Sequence, residues 1–143
     1  MHSCTKVIEF AAGHRLLDHK GLCQYPHGHN YRAEITIASH HLDGMGMVID
    51  FGDIKEVVGG WIKKNWDHAF VVGAEDEELR DALARLTAAK IFIMPENPTA
   101  EAMALHLAQV VTKKIIMPSQ GYQLTKLRLW ETSTSFGEYH PGT

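Results

Sequence analysis

The feature that most constrains the fold is a regular two-residue alternation of apolar and polar side chains between residues 30 and 38. The apolar members, which would share one face of a strand, are Tyr31, Ala33, Ile35 and Ile37. Successive side chains of an extended chain point to opposite faces, so this segment is predicted to be a strand with one buried face. Residues 5–12 alternate in the same way, and His14 continues their apolar parity. We therefore expect two N-terminal strands that pair as an antiparallel hairpin with a long loop.

The remaining elements are predicted from the helical period and from short apolar runs. After Asp50, which can start a helix, apolar side chains recur every three or four residues through Ile62. The segment Asn97-Pro98-Thr99 supplies cap and first-turn residues for a second long helix. Residues 75–86 predict a short charged helix, and residues 90–94 and 124–131 predict two further strands. The expected fold class is α+β, with an antiparallel four-stranded sheet and two long helices on one face.

Composition restricts the class of protein. A chain of 143 residues can bury one core, so we expect a single domain over residues 1–143. A formal net charge of −3 gives no basic surface for nucleic acid. The sequence has neither a signal-like N-terminus nor an apolar run long enough to span a membrane, so neither secretion nor membrane insertion is expected. Two cysteines, Cys4 and Cys23, are too few for a disulfide framework, which favours a reducing cytoplasm.

The strongest local signal for chemistry is the pair His27 and His29, separated by one glycine. On an extended segment these two imidazoles point to the same side and can reach one metal ion. His14 can supply a third imidazole if the two N-terminal strands pair. Three protein ligands leave the fourth position of zinc open, which is the arrangement of catalytic sites. The competing interpretation is a pair of solvated loop histidines without a ligand.

Three further groups could take part in proton transfer near such a metal. Cys23 lies four residues before His27 and could be a fourth ligand, a core thiol, or a base or nucleophile beside the metal. Asp67 and His68 form a local acid–imidazole pair, in which a carboxylate can orient the ring and raise its basicity. A loop pair with no role is the alternative for these two residues.

Glu131 shares a predicted strand face with two leucines, where a carboxylate is costly unless something pairs with it. The partner could be an internal cation or a ligand with two adjacent N–H donors. Glu101 lies in the first turn of the second long helix, where the helix dipole alone explains a negative charge. The sequence pattern therefore indicates a binding role for Glu131 and gives no such indication for Glu101.

Six segments, in this order along the chain, resemble the 6-pyruvoyl-tetrahydropterin synthase family. They are FAAGHRL (10–16), CQYPHGHNY (23–31), GMVIDF (46–51), WDH (66–68), NPTAE (97–101) and LWET (129–132). The resemblance implies the tunnelling fold, in which protomers assemble in rings with active sites at subunit interfaces. The zinc ligands that it implies are His14, His27 and His29. The proton-transfer set that it implies is Cys23, Asp67 and His68. The pterin-binding residues that it implies are Glu131, Thr99 and Glu101.

The short spacing between Cys23 and His27 resembles the branch of the family that serves queuosine biosynthesis. That branch implies zinc-dependent conversion of 7,8-dihydroneopterin triphosphate to 6-carboxy-5,6,7,8-tetrahydropterin, acetaldehyde and triphosphate. The alternative within the family is triphosphate elimination to a 6-pyruvoyl pterin. An alternative of another class is a non-catalytic zinc-binding assembly module, against which Cys23 and Glu131 both argue. The resemblance further implies a cytoplasmic homo-oligomer, a hexamer of two trimers.

Overall fold

The alternating residues near the N-terminus form two long paired strands in the computed structural model, which describes residues 1–116 and 118–142. Strand β1 spans His2–His14 and strand β2 spans His27–Ser39. They pair antiparallel along their whole length, with His14 opposite His27 at the end that leads into the connecting loop. The apolar face of β2 is buried as its pattern predicts, and Tyr31 is only 1% exposed. The predicted hairpin with a long loop is therefore confirmed.

Over residues 1–116 and 118–142 the sheet has six strands, so the prediction of four was wrong. The further strands are β3 (Phe70–Gly73), β4 (Ile91–Met94), β5 (Gln123–Thr132) and β6 (Ser135–Tyr139). Their order across the sheet is β4-β3-β1-β2-β5-β6. The sheet is mixed and not antiparallel throughout, because β3 pairs parallel with both β1 and β4. The two strands that the sequence did not reveal, β3 and β6, have four and five residues, too few for alternation to stand out.

The first predicted long helix is continuous but changes its winding. Helix α1 spans Phe51–Ile54, a π-helical turn spans Lys55–Gly59, and helix α2 spans Gly60–Asn65. The second long helix, α4, spans Ala100–Lys114, and the short charged helix α3 spans Glu77–Ala84. Each start is capped by a side-chain oxygen that accepts from a main-chain N–H; the capping residues are Asp50, Asp76 and Thr99. The cap of α4 is thus Thr99, which leaves the Asn97 side chain for another contact.

The two long helices cover the same face of the sheet, as predicted. Ile54, Val58 and Ile62 from the first belong to the same buried cluster as Met103 and Leu107 from α4. On β5 a bulge opposite Thr36/Ile37 changes the parity, so that Leu124 is buried on the same side as Leu127 although an odd number of positions separates them. Within the described residues, no helix combines the length and the apolar character needed to cross a bilayer. The architecture is α+β. The loop end of the β1–β2 hairpin, where His14 pairs with His27, lies at the edge of the hydrophobic core.

Candidate metal centre and active site

Three histidines meet where β1 ends and β2 begins. In the register of the two strands, His14 is opposite His27, and His29 is opposite Ala12. The Nε2 atom of His27 lies 3.1 Å from that of His14 and 3.0 Å from that of His29. The three ligand nitrogens are all within 4.8 Å of one another. Strand pairing therefore brings the three predicted ligands to one point, where they could hold a metal ion.

Main-chain carbonyls fix the orientation of two of these rings. Nδ1 of His14 donates to the carbonyl of Pro98 at 2.7 Å, and Nδ1 of His27 donates to the carbonyl of Tyr25 at 2.7 Å. A proton on Nδ1 leaves Nε2 as a lone pair, which is the form that binds metals. Lone pairs that face one another at about 3 Å repel unless a cation lies between them. The donor set thus has the chemistry of a cation site.

Burial favours the neutral imidazoles that a metal needs. The pKa of His14, which is 1% exposed, is lowered to about 4, chiefly by burial. The pKa of His29 is also lowered, first by burial and then by the neighbouring charge of His27. Both rings are therefore neutral at neutral pH, with one nitrogen free to act as a ligand.

Glu131 approaches the histidines from β5. Its Oε1 atom lies 3.5 Å from Nε2 of His14 and 3.9 Å from Nε2 of His29, and its side chain is 23% exposed. Burial raises the pKa of this carboxyl, the positive charge of His27 partly opposes that shift, and the negative charge of Glu101 adds to it. The carboxylate of Glu131 is therefore partly desolvated, as its position on this strand face predicts. The two imidazoles closest to it, those of His14 and His29, are neutral.

Thr99 and Glu101 lie at the start of α4, close to the same point. The Thr99 hydroxyl accepts from the N–H of Ala102 at 3.0 Å, and Glu101 is exposed in the first turn. This helix end is held tightly against β6, because a Cβ atom on Gly137 would lie 2.6 Å from the Glu101 nitrogen. Glycine at this position allows the helix start and the sheet to approach each other. The three predicted pterin-binding residues are therefore grouped around one end of α4.

Asp67 and His68 form the expected pair beside β1. Nδ1 of His68 lies 3.1 Å from Oδ1 of Asp67, which also accepts from the N–H of Ala11 at 3.1 Å. The His68 N–H donates to the Ala11 carbonyl at 2.7 Å, with His68 at a φ of 62°. The His68 side chain is 81% exposed and lines an open cleft of about 610 Å³ together with His27 and His29. The pair is fixed at the backbone and presents its imidazole to solvent.

Cys23 lies in a short 3₁₀ turn, Leu22–Gln24, and is half-buried. Its carbonyl accepts from the N–H of Leu16 at 2.8 Å. In the part of the chain that the structure describes, its thiol makes no hydrogen bond. The structure thus brings Asp67 and His68 together but joins neither of them to Cys23 by a hydrogen bond.

Contacts around the site that the sequence did not reveal come from residues distant along the chain. Arg15, which follows His14, makes a two-point ion pair with Asp76, at 2.7 Å and 2.5 Å. Asn97 contacts the main chain of Leu17, and the Pro98 carbonyl orients His14. The proline before the α4 cap was the available signal, because it restricts Asn97 to extended backbone and excludes it from the helix.

Comparison with known proteins agrees with this geometry. Residues 3–142 match the family described as 6-pyruvoyl tetrahydropterin synthase. A 6-carboxy-5,6,7,8-tetrahydropterin synthase from Rickettsia conorii is 44% identical over 138 residues, covering 96% of this chain and 99% of that protein. The protein of the same name from Haemophilus influenzae is 34% identical, covering 97% of this chain and 99% of its own.

Solved structures share the fold. An uncharacterised protein from Wolinella succinogenes superposes with a TM-score of 0.84 at 18% identity, covering 99% of this chain and 98% of its own. A 6-pyruvoyl tetrahydropterin synthase from Caenorhabditis elegans gives a TM-score of 0.70 at 23% identity, covering 99% and 96%. With the histidine cluster in place, and a match over almost its whole length, this chain belongs to the 6-pyruvoyl tetrahydropterin synthase family.

Proposed function

We propose that this chain is a 6-carboxy-5,6,7,8-tetrahydropterin synthase, which converts 7,8-dihydroneopterin triphosphate and water into 6-carboxy-5,6,7,8-tetrahydropterin, acetaldehyde and triphosphate. The observation that carries the proposal is the position of Glu131 beside three converging histidines, in a chain that matches relatives of this name over nearly its full length. The proposal assigns the chain to queuosine biosynthesis in the cytoplasm, as the family resemblance implies.

The metal in this proposal is zinc. Metal–nitrogen distances of about 2.0–2.1 Å place the ligands of tetrahedral zinc about 3.3 Å apart. Two of the Nε2 separations, 3.1 Å and 3.0 Å, lie close to that value. Bound by His14, His27 and His29, Zn²⁺ would supply Lewis-acid polarisation of the substrate's side-chain oxygens.

The other residues bind the substrate and move protons. Both carboxylate oxygens of Glu131 accept parallel hydrogen bonds from the 2-amino group and the N3–H of the pterin. Thr99 and Glu101 border the same ring at the start of α4. The Cys23 sulfur is the general base on one side of the substrate side chain. On the other side, Nε2 of His68 accepts or donates a proton, because its Nδ1 faces Asp67.

The active enzyme in this proposal is a hexamer of two trimers with interfacial active sites. Its support is the 81% exposure of His68 and the sheet edges at β4 and β6, which no further strand of the described residues covers and which can pair with a second copy. Light scattering should report an assembly of about six chains. A 16 kDa monomer at micromolar concentration would contradict the assembly.

The decisive experiment identifies the product. Zinc-loaded protein is incubated with 7,8-dihydroneopterin triphosphate, and the products are analysed by mass spectrometry with a separate acetaldehyde assay. The expected result is a 6-carboxy pterin with equimolar acetaldehyde, and the Cys23→Ala variant serves as the matched control. A 6-pyruvoyl pterin without acetaldehyde would assign the other activity of the family. Zinc binding without any turnover would indicate the non-catalytic assembly module.

A further inference from the structure

Asn97 makes a two-point contact with the main chain of a residue eighty positions earlier. The N–H of Leu17 donates to Oδ1 of Asn97 at 2.9 Å, and Nδ2 of Asn97 donates to the Leu17 carbonyl at 2.9 Å. Two hydrogen bonds of opposite direction fix both the distance and the orientation of the Leu17 backbone. The amide therefore acts as a clamp on the segment that contains Leu17.

That segment is the loop between β1 and β2, residues 15–26, which carries Cys23. The N–H of Leu16, directly beside the clamped residue, donates to the Cys23 carbonyl at 2.8 Å. The position of Cys23 is thus coupled to Asn97 through one main-chain hydrogen bond and one peptide unit.

Packing does little to hold this loop. None of its side chains is buried, and Leu22, next to Cys23, is 83% exposed. Within residues 1–116 and 118–142, its hydrogen bonds to distant parts of the chain come from Arg15, which contacts Asp76 and Glu78, and from Leu17, which contacts Asn97. Of the two attached loop residues, Leu17, which Asn97 holds, is nearer to Cys23 in sequence than Arg15.

The residue after Asn97, Pro98, orients one of the three histidines of the candidate metal centre. The Pro98 carbonyl accepts from Nδ1 of His14 at 2.7 Å and thereby sets which nitrogen of that ring faces the metal. Asn97 and Pro98 are consecutive, so one short segment attaches both the Cys23 loop and a metal ligand to the start of α4. A shift of the loop relative to the histidines is therefore resisted by the Asn97 amide, together with the ion pair between Arg15 and Asp76.

We propose that Asn97 is a positioning residue for Cys23, and that its paired hydrogen bonds hold the 15–26 loop in register with the histidine centre. The catalytic part of this inference rests on the proposed function. Among the described residues, the side chain of Asn97 makes no hydrogen bond to the histidine nitrogens or to Glu131, so we expect its loss to leave metal and pterin binding in place. It changes the position and the accessibility of one thiol.

The test compares two cysteines in one molecule. Wild type, Asn97→Ala and Asn97→Asp are treated with iodoacetamide over a range of pH, and the alkylation of Cys23 and Cys4 is followed by peptide mass spectrometry. Asn97→Asp keeps the acceptor for the Leu17 N–H, and it replaces the donor by a carboxylate oxygen that faces the Leu17 carbonyl. Asn65→Ala is the matched control, since it removes an amide that donates to the Trp61 carbonyl at 3.0 Å on another helix.

In both Asn97 variants we expect Cys23 to be alkylated severalfold faster, with a changed pH profile, while Cys4 keeps the wild-type rate. Zinc content should stay at the wild-type level, and kcat should fall about 10- to 100-fold with KM little changed, the scale of a displaced catalytic group. Unchanged Cys23 alkylation in a folded, zinc-loaded variant would overturn the inference, as would unchanged kcat in an active enzyme. If wild type shows no turnover, the proposed function fails, and the alkylation comparison still decides the role of Asn97.

Discussion

Replacing Glu131 by glutamine should separate binding from stability. The Glu131 carboxylate is 23% exposed, and the bases closest to it are Nε2 of His14 at 3.5 Å and of His29 at 3.9 Å. His14 has a pKa of about 4 and is neutral at pH 7, so it offers no positive charge. In the metal-free protein the carboxylate is therefore partly desolvated, and burial raises its pKa against the opposing positive charge of His27. A glutamine of nearly the same shape removes that cost.

The substitution should change stability and pterin affinity in opposite directions. Because the folded-state pKa of Glu131 is raised, wild type is relatively stable in acid and loses that contribution as the pH rises through the pKa. At pH 7 we therefore expect metal-free Glu131→Gln to unfold with a free energy equal to that of wild type or up to about 1 kcal/mol greater. Pterin binding should weaken by about 2–4 kcal/mol, roughly 30- to 700-fold in Kd, because one charge-assisted hydrogen bond is lost and one ring N–H meets an amide donor.

The assay is thermal unfolding of chelator-treated protein at pH 7 and at about pH 4, together with a fluorescence titration using 6-carboxypterin on the zinc-loaded form. Glu56→Gln, at an exposed helical position, is the matched control and should change neither measurement. Zinc content should be the same in all three proteins. A Glu131→Gln protein that is less stable without metal yet binds 6-carboxypterin normally would make Glu131 a structural residue, and its role as a pterin anchor would be refuted.

Three further predictions concern the metal, the Cys23 thiol and the ion pair between Arg15 and Asp76. Wild type should carry about one zinc per chain by metal analysis, and His27→Ala should lose most of it while His140→Ala keeps it, because two imidazoles hold the ion poorly. Cys23→Ala should retain zinc and lose about 10²-fold in turnover, with Cys4→Ala as its control; loss of zinc would instead make Cys23 a ligand. Asp76→Asn should lower the urea unfolding free energy by about 3 kcal/mol at pH 7, since Arg15 loses its two-point partner and keeps only the longer contacts to Glu78 at 3.4 Å. Because Arg15 lowers the pKa of Asp76, this difference should persist above the carboxyl's ordinary pKa of about 4 and vanish in stronger acid; a pH-independent difference would refute the ion pair as its source.

The long elements could be predicted because their periodicity is a local property. Strand β2 has 13 residues, and its alternation between residues 30 and 38 specifies both the strand and its buried face. Strand β3, Phe70–Gly73, has three fully buried residues and no alternation, because it lies inside the sheet with neighbours on both edges. Its parallel pairing with β1 depends on contacts between residues more than fifty positions apart, which no pattern within one segment contains.

The site divides in the same way. Strand parity brings His14, His27 and His29 to one face, so the candidate ligands followed from the sequence and the pairing of two adjacent strands. The position of Cys23 could not be predicted in this way, because its loop is attached through the side chain of Asn97, which lies far along the chain. The proline after Asn97 indicates that this residue precedes the helix, but the sequence does not reveal that its side chain binds the main chain of Leu17.

The arrangement of the three histidines also bears on how the protein acquires its metal. All of them lie between residues 14 and 29, on one hairpin that leaves the ribosome before any other strand of the sheet. Closing the 13-residue span from His14 to His27 costs about 2 kcal/mol less chain entropy than closing the span from His14 to Glu131. The nascent hairpin can therefore gather its ligands before the second half of the chain exists. The Pro98 carbonyl, which orients His14, and Glu131 arrive later in synthesis, so the complete site is assembled only once the C-terminal half has folded.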